Sequence, residues 1–116
     1  NMNDDHALPF QTTDAYRVAK ALALAVQAAK VRDAELRDQA GRASKSAFLQ
    51  TAEGLPNDSS AMRRRYFSCA RASACEMAAA LDLASAMGFA DEAAASEVVR
   101  LAGKLSAILA GLMRRA

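Results

Sequence analysis

The sequence predicts an all-α fold, an antiparallel up-down-up-down four-helix bundle, and three observations predict it. Of 116 residues, 53% are hydrophobic but only 5% aromatic, with no Trp, so the apolar content is largely Ala and Leu, the strongest helix formers. Only two Pro and five Gly interrupt the chain, too few for the many tight turns of an all-β domain. Apolar residues recur at three- and four-residue spacing over four long stretches, the signature of helices with one buried face. Four such helices joined by short connections pack most simply as neighbours running alternately up and down. A pair of helical hairpins completed only in a dimer is the second topology. At this length the chain makes one domain, residues 12–116, behind a polar N-terminal tail, residues 1–11.

Leu8-Pro9 ends the tail, and Phe10 is positioned to pack on the bundle. Thr12, Thr13 and Asp14 are N-cap candidates for helix 1, in which Tyr16, Ala19, Leu22, Val26 and Ala29 share a face through about Lys30. The rhythm breaks at Val31, and Asp33 can cap helix 2, which runs from about Ala34 to Glu53. Gly54-Leu55-Pro56-Asn57-Asp58-Ser59-Ser60 is the best-marked loop, with Gly54 as a C′ residue and two serines as N-caps. Helix 3 is predicted from about Ser60 to Met87, with Gly88 at C′ and a seam through Met62, Tyr66, Cys69 or Ala70, Ser73, Met77, Ala80, Ala84 and Met87. Asp91 and Glu92 suit the positive end of helix 4, whose core face is Val98, Leu101, Leu105, Ile108 and Leu112. Arg114 and Arg115 suit its C-terminal end.

Helix 2 carries two stripes. Leu36, Ala40, Ala43, Ala47 and Thr51 form a small-residue face that a neighbouring helix can approach closely. Gln39, Arg42, Ser46, Gln50 and Glu53 form a polar seam beside it, all able to hydrogen-bond. Glu53 lies at the negative end of the helix, where an exposed carboxylate opposes the macrodipole by roughly 0.3–1 kcal/mol, so a compensating cation or amide is expected. Phe48 and Leu49 lie away from the small-residue face and predict a second contact surface, an oligomer interface.

Charge and chemistry exclude more than they assign. Fifteen Lys and Arg against 13 Asp and Glu leave a net +2, too little for a chain-wide nucleic-acid field, although a local patch is allowed. That patch is Arg63, Arg64, Arg65 and Arg71, in the first half of helix 3, where cations oppose the helix dipole. Residues 76–97 hold Glu76, Asp82, Asp91, Glu92 and Glu97 with no Lys or Arg, an acidic counterpart the arginines can face across a subunit boundary. The competing reading is phosphate contact with nucleic acid. With two Tyr, four Phe and no Trp, a stacking platform for single strands is poorly supplied.

Cys69 and Cys75 are six apart on one helix and cannot bridge each other; they read as buried free thiols of a cytoplasmic protein. The only histidine, His6, lies in the tail, so no metal site and no cofactor are predicted. No glycine-rich phosphate loop, nucleophile elbow or Cys/His pair points to an enzyme. No apolar run reaches the roughly 18–20 residues of a membrane span, and no signal peptide is read.

Helices 2 and 3 together resemble the small four-helix-bundle proteins encoded by intervening sequences of bacterial large-subunit ribosomal RNA genes, a family that includes the accessory variability proteins of diversity-generating retroelements. On helix 2 the matching residues are Gln39, Ala43, Ser46, Gln50, Ala52, Glu53 and Gly54; on helix 3 they are Ala70, Ser73 and Glu76. Phe10, Tyr16 and Ala19 fit helix 1, and Leu83, Met87, Gly88 and Phe89 fit the end of helix 3. The chain departs from the pattern at Ala72, where Gly is usual, at Gln50, where Asn is usual, and at Ala40, Ala47 and Thr51, where larger aliphatics are usual. The resemblance implies a non-catalytic homopentamer acting as a binding scaffold. It also implies, as the runner-up, a basic surface for RNA or DNA with a reverse-transcriptase-like protein partner.

Overall fold

The computed structural model describes residues 8–116; His6 and most of the predicted tail lie outside the described residues. Four helices follow one another: α1 (Asp14–Ala28), α2 (Ala34–Gly54), α3 (Ser60–Ala86) and α4 (Glu92–Arg115). Each begins at a side-chain cap of the kind the sequence marks. Thr13 accepts from Tyr16 N, Asp33 from Leu36 N, Ser59 from Met62 N and Asp91 from Ala94 N, each satisfying an orphan donor of a first turn. Ahead of α1, Pro9–Thr12 makes one 3-10 turn that sets the Phe10 ring edge-on to Tyr16, centroids 5.6 Å apart.

The helices pack in ring order within one chain, α2 on α3, α3 on α4, and α1 closing between α2 and α4. The α2–α3 contact is the most extensive, because Ala40, Ala43, Ala47 and Thr51 are all buried and let the backbones approach. Thr51, fully buried, returns its hydroxyl to Ala47 O at 2.8 Å, so the small face carries no orphan.

On α3 the core follows two heptad-spaced lines, Phe67–Ala74–Leu81 and Ala70–Met77–Ala84, the first of which the sequence reading missed. Met62, Cys69 and Met87, expected in its seam, are exposed instead. The correction is rotational: α3 touches both α2 and α4, so its buried arc is wide and centred between two neighbours. Cys69 and Cys75 are free but exposed, not buried. On α4, Val98, Leu101 and Leu105 are buried with Leu109, while Ile108 and Leu112 are half-buried.

The helix ends supply one more correction. Gly54 is the last residue of α2 rather than a C′ residue, and the following Leu55 stays right-handed at φ −58°. Its need for glycine is a close approach: a Cβ there would stand 2.7 Å from Phe67 Cε1. Gly88 does fill the left-handed position, at φ 81°, and Phe89 N bonds Ala84 O at 2.7 Å in a Schellman closure of α3. At the end of α1 that conformation falls to Lys30, at φ 48°.

Candidate functional site

The polar seam of α2 meets α3 directly. Ser73 Oγ donates to Ser46 Oγ at 3.0 Å, and Gln39 Nε2 donates to Glu76 Oε1 at 2.8 Å. Two small hydroxyls can touch only where two helices cross closely, and the pair spans 27 residues of sequence. Leucine at position 46 must therefore overpack the crossing. Ser46→Leu is expected to destabilise by about 1–3 kcal/mol in urea titration; a neutral or stabilising result places the crossing elsewhere. The other seam residues stay apart: Arg42 and Glu53 are exposed and Gln50 is half-buried. Among the described residues Glu53 forms no ion pair. The end of α2 that it destabilises is instead served by Arg63.

The arginines of α3 explain their own position. Arg63 Nη1 reaches the carbonyl oxygens of Gly54, Leu55 and Asn57, and its guanidinium lies over the Phe67 ring at 5.4 Å. Arg64 Nη2 donates to Ala116 O at 2.9 Å, just past the end of α4. In an antiparallel bundle the N-terminus of α3 stands beside the C-termini of α2 and α4, where orphan carbonyls attract cations. What is unfavourable for the dipole of α3 is thus favourable for those of its neighbours. Arg71 Nε donates to Ser106 Oγ at 3.2 Å, tying α3 to α4. Arg65 is exposed and forms no ion pair among the described residues. At the opposite end Arg32 does for α3 what Arg63 does for α2, donating to Gly88 O at 2.8 Å while its backbone N–H bonds Phe89 O.

The acidic stretch also finds local partners. Glu76 accepts from Gln39, Asp91 caps α4, and Glu97 pairs with Arg100. The Arg100 guanidinium beside Glu97 holds that carboxyl below its ordinary value, mainly by hydrogen bonding. Both side chains are exposed, so the pair contributes little to stability. Asp82 and Glu92 remain, facing the α3–α4 groove. These local partners engage part of each stretch; Arg65, Asp82 and Glu92 form no ion pair among the described residues.

Phe48 and Leu49 separate. Phe48 is half-buried and stacks on Tyr16 of α1, centroids 5.0 Å apart, so its apolar character has a reason inside the chain. Leu49 is 56% exposed. Larger exposed apolar surface lies at the end of α3: Leu83 is 50% exposed, and Met87, which sequence reasoning had assigned to the seam, is 56% exposed. Leu83 lies seven residues beyond Glu76, the partner of Gln39, so it shares the flank that α3 turns toward α2. Exposed Cys69, Ala72 and Ala79 share that flank with the Glu76 carboxylate.

Among the described residues no three His, Cys, Asp or Glu side chains stand close enough to hold a metal ion, and no helix is long and apolar enough to cross a membrane. No curated protein matches the chain. The family model of the 23S rRNA-intervening sequence protein matches residues 11–111, which takes in α1, α2, α3, the seam between α2 and α3, and α4 as far as Gly111. The chain belongs to the 23S rRNA-intervening sequence protein family.

Proposed function

We propose that this protein is a non-catalytic cytoplasmic assembly unit: a helical bundle that associates with copies of itself, a pentamer being the expected count, to form a ring or barrel that serves as a binding scaffold. The observation that carries the reading is the pair of large apolar side chains at the end of α3, Leu83 and Met87, half or more exposed on a flank that also holds Ala72, Glu76 and Ala79. Contiguous apolar surface of that kind on a small domain marks a contact surface. In the seam beside it Ser46 is paired with Ser73 and Gln39 with Glu76, so those four side chains already have partners within the chain. The number five follows only from the family resemblance. The Leu83→Lys, Met87→Lys variant is expected to show a lower mass by light scattering while its circular dichroism stays helical. Equal masses for variant and unmodified protein would overturn this placement of the interface.

Nucleic-acid binding, alone or with a reverse-transcriptase-like partner, is the runner-up. Arg63, Arg64 and Arg71 already hydrogen-bond within the chain, which leaves Arg65 as the member of the cluster with no ion pair among the described residues. Phosphate contacts would give affinity that falls steeply with salt. A labelled RNA that binds at low salt with loss of slope in Arg65→Glu supports this reading, and absence of binding removes it.

A further inference from the structure

Between the C-terminal half of α1 and the first half of α2 lies a half-open groove of about 410 Å³, within the size range of small-molecule sites. Val26, Val31 and Ala40, all buried, make its floor, and Leu24, 59% exposed, stands at its lip. Lys30, Arg37 and Lys45 surround it, and no carboxylate lines it. Among the described residues none of the three forms an ion pair, although Arg37 spends one N–H on Val31 O at 3.2 Å. Three like charges beside an apolar floor repel one another, and an anion placed among them relieves that repulsion.

Two local choices in this groove cost stability: a lysine in the left-handed position that ends α1, where glycine is usual, and a helical glycine that no packing contact requires. Lys30 sits at φ 48°, a left-handed conformation that glycine adopts freely and a residue with a Cβ adopts at a cost of roughly 1–2 kcal/mol. The strained position carries a cation at the end of the groove. Gly41 lies inside α2, where glycine is about 1 kcal/mol worse than alanine. A Cβ there would meet nothing within 4 Å, so no neighbour requires its absence. What the missing side chain does is leave the wall of the groove open. Apolar floor, cationic rim, a strained lysine and an unneeded glycine coincide at one place. Such a cost held at one site points to a ligand.

We propose that the α1–α2 groove binds a single-chain aliphatic anion, its tail on Val26 and Val31 and its head among Lys30, Arg37 and Lys45. The site lies on the opposite side of α2 from the α3 flank and does not depend on assembly.

The probe is decanoate, kept below micelle formation and titrated into the full chain while backbone amides are followed by NMR. Shifts confined to residues 23–31 and 37–45 are expected. The Lys30→Glu, Lys45→Glu variant is expected to weaken binding tenfold or more. Gly41→Leu fills the groove with a better helix former, so it should abolish binding while circular dichroism and urea stability are kept. Uncharged decyl maltoside tests the head group and is expected to bind much more weakly. Shifts centred on Leu83 and Met87, equal binding of the uncharged probe, or unchanged affinity in Gly41→Leu would each overturn the proposal.

Discussion

Phe67→Ala is expected to lower the unfolding free energy by about 3–5 kcal/mol, the largest loss for any single side chain in this protein. The ring is fully buried in an otherwise aromatic-poor core, and three features converge on it. Gly54 gives up its Cβ to admit the ring, Arg63 lies over it, and the carbonyls that Arg63 satisfies belong to the end of α2 and the loop beyond. Truncation opens a cavity beside Gly54 and loosens the guanidinium that closes α2. A coupled test isolates the close approach. Gly54→Ala should cost about 1–3 kcal/mol by overpacking, and clearly less in a Phe67→Leu background. A loss below about 1 kcal/mol for Phe67→Ala in urea titration would contradict the role given to the ring.

Leu105→Ala is expected to cost about 2–5 kcal/mol. Leu105 is fully buried on α4, one turn from Leu101 and Leu109, where α4 closes on both α1 and α3. Its control is Val99→Ala on the same helix, 41% exposed and expected to change stability by less than about 0.5 kcal/mol. Similar losses at the two positions would mean that the buried arc of α4 is misassigned.

The helices and their starts were legible because the signals are local. Thr13, Asp33, Ser59 and Asp91 stand immediately before apolar-periodic stretches, and a cap acts within three residues. The α2–α3 seam was legible too, since Ser46 and Ser73 are small residues on matched faces. What escaped depends on relations between helices. Arg63 and Arg64 oppose the dipole of their own helix, and only the antiparallel neighbours supply the carbonyls that make the position favourable. Phe48 looked unpartnered because periodicity within α2 says nothing of where Tyr16 arrives from α1. Gly54 carried a helix-end signal that was right about the boundary and wrong about the cause, since a glycine needed for close packing and one needed for left-handed backbone read alike. Lys30 gave no signal at all, because the left-handed position it fills is normally marked by Gly or Asn.

Local partners for six of the nine residues in the basic cluster and the acidic stretch shift the weight of the assembly reading from charge pairing to apolar contact. A head-to-tail ring still suits a patch that is not its own complement, and Leu83 and Met87 must then meet a different surface of the next copy. The measurement that bears most directly on this is the mass of the unmodified protein by light scattering at micromolar concentration. About five times the 12.2 kDa chain mass is expected. A dimer or tetramer would change only the count, whereas a monomer across that range would contradict the assembly account.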